Sequence, residues 1–275
     1  MPQAEADLAI IDLNLLRNET AEEYHAKAAE FLTSHQLLDF MKCPWLYHKK
    51  QLGLIEDRDS QAYFVGRAAH VRILEGRSKY CREFAFGGPI NPTTGKPFGQ
   101  ATKAFAEWAA AQGKPVLLQD QVDLIEQMAS GVAMNDAAVD LLAEGKAEGV
   151  VRTDYCGMPC QARLDWVHPQ RGIVDLKTCE DLTWFESDAR RFGYLRQMAF
   201  YQAVLGKALH GLFAPVHIIA VEKREPFRCG VWMLDEKTLL ACRQEVEAAI
   251  RRLRSCAIED AWPTGYEEIR ILELF

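Results

Sequence analysis

The stretch from Gly149 to Thr178 constrains the fold more than any other part of the chain. Residues Gly149 to Val167 and Gly172 to Thr178 are rich in β-branched side chains, broken at Gly157-Met-Pro159 and at the five-residue turn His168-Pro-Gln-Arg-Gly172. Such runs, bounded by turn formers, predict a meander of strands. Side chains alternate across a strand, so Ile173, Asp175 and Lys177 share one face while Val174 and Leu176 take the other. An acid and a lysine thus project together. If the two strands pair as a hairpin, Asp165 near the end of the first lies beside Asp175 on the second.

Two carboxylates that close repel unless a cation lies between them, and hard oxygen donors of this kind suit Mg²⁺ or Mn²⁺. Lys177 is then placed to neutralise charge on a phosphate or to lower the pKa of an attacking water. A bare Asp-x-Lys is more often a cross-strand surface pair. Here both acids sit amid Leu164, Trp166, Val174 and Leu176, and acids are rarely buried without a metal or a partner.

The remaining chain is mostly helical in pattern. Helices are expected from Glu22 to Gln51, with Thr33 or Ser34 as an internal N-cap, from Ser60 to Leu74, and over 101–112, 120–144, Ser187 to Leu209 and Glu236 to about Cys256. Gly87 to Gly99 is dense in turn formers and reads as a loop. Two further strands fit Pro215 to Glu222 and Phe227 to Leu234. This order predicts an α/β or α+β fold with a central mixed β-sheet flanked by helices and an N-terminal helical extension. With 275 residues and 49% hydrophobic content, the expectation is a single domain over 31–275. Residues 1–30 read as an N-terminal arm or appended helix carrying Leu8, Ile10, Ile11, Leu13, Leu15 and Leu16.

Eight cysteines at irregular positions, no secretory leader and no apolar run of bilayer length point to a reducing, cytoplasmic setting without a membrane. The thiols are read mainly as packing residues. A net charge of −7 means that any surface for a polyanion is local. Candidates are Lys42 with Lys49 and Lys50; Arg67, Arg72, Arg77 and Arg82; and Arg190, Arg191 and Arg196. Each is as readily a solvated helix face. Glu148 opens the first strand in an undetermined register and is expected to be exposed.

Asp165, a gap of about ten residues and then Asp175-Leu-Lys177 resembles the signature of the PD-(D/E)xK nuclease superfamily. Three further segments resemble its RecE/RecB-like exonuclease branch. Gln197-Met-Ala-Phe-Tyr201 is similar to the Q-x-x-x-Y motif of the following helix, where residues four apart share a face. Gly66-Arg-Ala-Ala-His70-Val-Arg-Ile-Leu74-Glu75 is similar to the upstream G-x-x-x-H-x-x-x-L-E helix. Gly66, one turn before His70, is a place for another backbone to come close. Ser34 to Tyr47 resembles the helix that opens the module. The matches run in family order from about residue 34 to 223.

The resemblance implies a restriction-endonuclease-like core and a Mg²⁺-dependent exodeoxyribonuclease, with Mn²⁺ as a substitute. It assigns Asp165, Asp175 and the Leu176 carbonyl to the metal, His70 to the metal or its surroundings, and Lys177 to catalysis. Gln197 and Tyr201 would orient the nucleotide or the lysine. Arg163 and Thr178 would touch DNA phosphate, with a structural salt bridge as the other reading of Arg163. It further implies 5′ to 3′ action on double-stranded DNA ends in recombination, a homo-oligomeric ring, a single-strand annealing protein as partner, and a bacterial or phage origin. A structure-specific or restriction-like endonuclease and a non-catalytic DNA-binding module of the same fold stay open.

Other constellations are weaker. Cys156 and Cys160 lack a second pair at zinc spacing. Cys43 before Pro44 is similar to relatives holding an iron–sulfur cluster, yet Cys229, Cys242 and Cys256 are too widely spaced, so no cluster is expected. No phosphate-binding G-x-x-x-x-G-K-[S/T] loop is present. Trp108, Trp184, Trp232 and Trp262 read as packing residues before they read as base-stacking ones.

Overall fold

The computed structural model describes residues 10–56 and 60–272. Strand β1 (Arg17–Asn18) and helix α1 (Ala21–Ala26) lead into α2 (Ser34–Lys42) and α3 (Pro44–Gln51). Helix α4 (Gln61–His70) runs into a π-helical turn at Val71–Glu75, followed by α5 (Gly76–Glu83) and β2 (Ala85–Phe86). Next come α6 (Lys103–Gln112), β3 (Val116–Leu117), α7 (Gln119–Ala133) and α8 (Asp136–Leu142). The meander is β4 (Lys146–Tyr155), β5 (Met158–His168) and β6 (Gly172–Cys179). The chain continues through α9 (Phe185–Arg191), α10 (Tyr194–Ala208), β7 (Val216–Glu222), β8 (Cys229–Met233) and α11 (Glu236–Glu259).

Six strands form one sheet in the order β1-β4-β5-β6-β7-β8. It is mixed, because β6 and β7 run parallel, joined by the α9–α10 crossover, while the other neighbours are antiparallel. The expected α/β architecture, a central mixed sheet flanked by helices, is therefore what this chain forms. Strands β2 and β3 make a small separate parallel pair.

The two faces of the sheet carry separate cores. Leu164, Ile173, Ile218 and Ala220 pack with Phe40 of α2, Phe200 of α10 and Ile250 of α11. Val174, Leu176, Ile219 and Val221 pack instead with Val65 and Ala68 of α4 and with Ile125 and Met128 of α7.

Three helical stretches are divided, each for a local reason, the first at the expected Thr33 cap. Thr33 caps α2 with a reciprocal pair to Gln36, and Pro44 in the first turn of α3 ends α2 at Cys43. The stretch 120–144 divides where the Asn135 side chain accepts the Ala138 N–H at 3.0 Å. The stretch 187–209 breaks at Gly193, whose φ of 78° lies in the left-handed region.

Leu8 lies outside the described residues. Ile11 and Leu16 are buried in the α10-side core, and β1 pairs with β4 through Arg17–Val150 and Asn18–Gly149. Ile11, Leu16 and β1 thus tie this segment to the edge of the sheet. Among the described residues no helix is long and apolar enough to cross a membrane.

Candidate active site

The β4–β5 hairpin turns through Cys156 and Gly157, both at positive φ (52° and 74°), as twist-matched two-residue turns require. Its register sets Ala147 opposite Trp166 and Gly149 opposite Leu164, which leaves Glu148 facing Asp165. On the other side Trp166 pairs with Val174, so one further step brings Asp165 level with Asp175. Three acids thus stand in a row across three adjacent strands.

The strands are irregular at this row. Leu164 and Val167 belong to the α10-side core, whereas Trp166 packs on the α4 side. Strict alternation would put Leu164 and Trp166 on one face, so the pattern slips at Asp165. Strand β4 slips at the matching place: Ala147 is on the α4 side, Glu148 has φ 53°, and Gly149 lies against Leu16 of the other core. Regular β5–β6 pairing ends here, and the Leu176 N–H donates to Asp165 Oδ2 at 2.9 Å.

That gap lets groups from both faces meet. From the α4 side, His70 Nδ1 approaches Asp165 Oδ2 to 3.4 Å. His70 stands immediately before the π-helical turn, an irregularity that often accompanies functional positions. Ligand atoms of His70, Glu148 and Asp165 lie within 4.8 Å of one another. From the α10 side, Lys177 Nζ lies 2.5 Å from Asp175 Oδ2 and 4.9 Å from the centre of the Tyr194 ring.

The electrostatics suit a cation-binding site. Burial, then the Lys177 charge, pushes the His70 imidazole down to about 4, which leaves it neutral and able to donate a lone pair. Burial raises Glu148 to about 8, with Asp165 adding repulsion and Arg163 opposing it. Burial also raises Asp165, against the pull of Lys177 and the Leu176 N–H. Asp175, 1% exposed, is raised to about 6 by burial although Lys177 draws it down. Its buried Oδ1 accepts no hydrogen bond. Burial works against the Lys177 charge, but Asp175 and Asp165 outweigh it and hold the ammonium above its usual range. Crowded carboxylates, an orphaned buried oxygen and a neutral imidazole form a donor set that a hard divalent cation would satisfy.

His70, Asp165, Asp175, Leu176 and Lys177 are therefore brought to one place. Glu148 corrects the sequence reading: its side chain is 13% exposed and belongs to the cluster. Arg163 Nε lies 2.9 Å from Glu148 Oε2, the salt-bridge alternative considered for it. Gln197 Nε2 donates to Tyr201 Oη at 3.0 Å, with Ser34 Oγ at 3.4 Å from the same oxygen. Both residues are buried, and the ring over Lys177 is that of Tyr194, which the sequence reading did not single out. Gly66 makes no close backbone approach: a Cβ there would meet only Thr178 Oγ1, at 4.0 Å.

The suggested basic surfaces are partly cancelled. Arg72 pairs with Glu126 at 2.8 Å, Lys50 with Asp39 at 2.7 Å and Arg196 with Glu245 at 2.5 Å. Trp262 stacks on His48 and Trp232 packs on Phe185, as packing residues should. Trp184 does not, being 65% exposed.

A mixed sheet with an acid row, an adjoining lysine and a helical histidine is the arrangement of the PD-(D/E)xK class. A family profile described as a PDDEXK-like domain of unknown function matches residues 33–274, and the chain belongs to that family. Among solved structures it is similar to a crystal structure from Eubacterium rectale described as a candidate exonuclease, with 16% identity, a TM-score of 0.68, and 94% of this chain and 97% of that one covered. It also matches LHK-Exo in complex with dAMP at 14% identity and a TM-score of 0.35, covering 88% and 95%. A second match is the alkaline exonuclease LHK-Exo from Laribacter hongkongensis, at 16% identity and 0.27, covering 58% and 89%. No curated protein matches the chain. The superfamily resemblance read from the motifs is borne out.

Proposed function

We propose that this chain is a metal-dependent deoxyribonuclease that hydrolyses phosphodiester bonds, using Mg²⁺ with Mn²⁺ as a substitute. The observation that carries this reading is the meeting of His70, Glu148 and Asp165 within 4.8 Å beside the buried Asp175–Lys177 pair.

His70, Asp165, Asp175 and the Leu176 carbonyl would hold the ion, with Glu148 as a further donor. Bound there, the ion supplies Lewis acidity, lowering the pKa of water and screening phosphate charge. Lys177, fixed between Asp175 and the Tyr194 ring, presents a permanent positive charge to a phosphate oxygen. The Leu176 N–H anchors the Asp165 carboxylate and fixes its orientation. Gln197 donates to Tyr201, which also accepts from Ser34, and the pair braces the α10 side of the site. Thr178 flanks the acids and adds a hydroxyl for phosphate.

Exonuclease action on double-stranded DNA ends, 5′ to 3′, is the version the RecE-like motifs favour. The Eubacterium rectale neighbour carries the exonuclease description as well. With that reading go a homo-oligomeric ring, a single-strand annealing partner, a role in recombination and a cytoplasmic, bacterial or phage setting.

An end-labelled linear duplex and a covalently closed circle, incubated with Mg²⁺, test the reading. The linear DNA is digested with progressive release from its 5′ end while the circle stays intact. Asp175→Ala and Lys177→Ala each slow digestion by about a hundredfold or more, with DNA retention still measurable. A protein that binds DNA yet cuts none under any divalent metal would end the proposal.

A further inference from the structure

A cation–aromatic track leads outward from Lys177. Its ammonium lies 4.9 Å from the Tyr194 ring centre, and Tyr194 lies 5.9 Å from Phe192 at an interplanar angle of 42°. The Arg191 guanidinium then sits 5.4 Å from the Phe192 ring. Exposure grows along the way: the Lys177 side chain is 15% exposed, Phe192 is 52% exposed, and Arg191 is exposed.

The backbone holds this order. Gly193 in the left-handed region joins α9 to α10, and a side chain there would press on Leu38 at 3.1 Å. The break between the helices therefore turns Phe192 out to solvent while Tyr194 points in at Lys177. Arg190 and Arg191 enter no ion pair among the described residues, unlike Arg196 three residues beyond the glycine.

Two adjoining rings flanked by cations, with Arg191 in no ion pair among the described residues, suit one ligand above others. Ring faces stack on bases that have left a duplex, and guanidinium groups take the intervening phosphates. Resting on the nuclease reading above, we infer that the α9–α10 junction binds an unpaired DNA strand as it enters or leaves the site. Phe192 carries a base and Arg191 a backbone phosphate.

The test is the affinity of the full-length protein for a fluorescein-labelled oligothymidylate, read by anisotropy in Ca²⁺, with circular dichroism of each variant. Phe192→Ala weakens binding by about tenfold, and Phe192→Trp restores it, because any π-face serves. Arg191→Gln lowers the slope of log affinity against log salt by about 0.7, the share of one single-strand phosphate. Unchanged affinity in folded Phe192→Ala, or failure of Phe192→Trp to restore it, overturns the inference. Loss of the nuclease reading registers separately, as unmutated protein that cuts no DNA with Mg²⁺.

Discussion

Glu148 shows how much a single side chain decides here. Burial and the neighbouring Asp165 raise it to about 8, while the Arg163 guanidinium 2.9 Å away draws it down. Glu148→Gln keeps the size of the side chain while removing a negatively charged donor from the cation. The expected result is a Mg²⁺ affinity weaker by about tenfold or more, measured by the rise in thermal midpoint across a Mg²⁺ titration. Equal affinity in the variant would remove Glu148 from the ligand set. The residue was hidden in the sequence for a definite reason. Its place opposite Asp165 follows from a two-residue turn at Cys156-Gly157, and cysteine at positive φ is not a turn signal. The alternation that exposed Asp175 and Lys177 also fails at Glu148, because both strands change face there. Asp175 and Lys177 were legible because β6 keeps its period; Glu148 was not because β4 loses it.

Elements were legible where the hydrophobic period was long, and their ends where a cap was strong. Thr33 announced α2. Asn135 and Gly193, which divide two apparent helices, carry signals that a continuous apolar stripe overrode. The N-terminal segment shows the same limit. Ile11 and Leu16 read as an appended apolar patch, but its docking rests on Glu19 and Arg152, far apart in sequence. Arg152 Nη1 and Nη2 donate to Glu19 at 2.6 and 2.7 Å, Lys27 adds a contact at 3.2 Å, and the Arg152 side chain is 5% exposed. The Arg152 hydrogen bonds draw Glu19 down to about 2, with Lys27 assisting. A depressed acid contributes stability that is complete above its unfolded value near 4.5 and is lost as pH falls through about 2. Glu19→Gln should cost about 2 kcal/mol near pH 7, at the level of a charged hydrogen bond tempered by the water reaching Glu19. Urea unfolding at a series of pH values should show the gap between variant and parent narrowing below about pH 4. A gap that stays constant into acid would assign the pair a role of shape rather than charge.

The whole molecule faces the problem of binding a polyanion with a net charge of −7. Its cations do not form a broad positive face, since Arg72, Lys50, Lys79 and Arg196 are each matched to a carboxylate. Among the candidates named from the sequence, Lys42, Lys49, Arg77, Arg82, Arg190 and Arg191 enter no ion pair among the described residues. Only some of these can face one strand at once. Arg190 and Arg191 lie at the end of α9, three and two residues before the glycine that precedes α10, whereas Arg77 and Arg82 lie on α5 beyond the π-helical turn. Each phosphate neutralised on duplex DNA contributes about 0.9 to the slope of log affinity against log salt. Three or four contacts per chain predict an affinity loss between about tenfold and a few hundredfold when salt rises fourfold. Titrating labelled duplex with the protein at low and physiological salt measures it, per chain once the assembly state is known. A loss near ten-thousandfold would demand more than about seven phosphates, more than the unpaired candidate cations could supply. It would mean that DNA is held by a surface assembled between subunits. A shallow slope would instead mean that affinity comes chiefly from the metal centre and the stacked strand, and that the acidic exterior holds the rest of the duplex away from the protein.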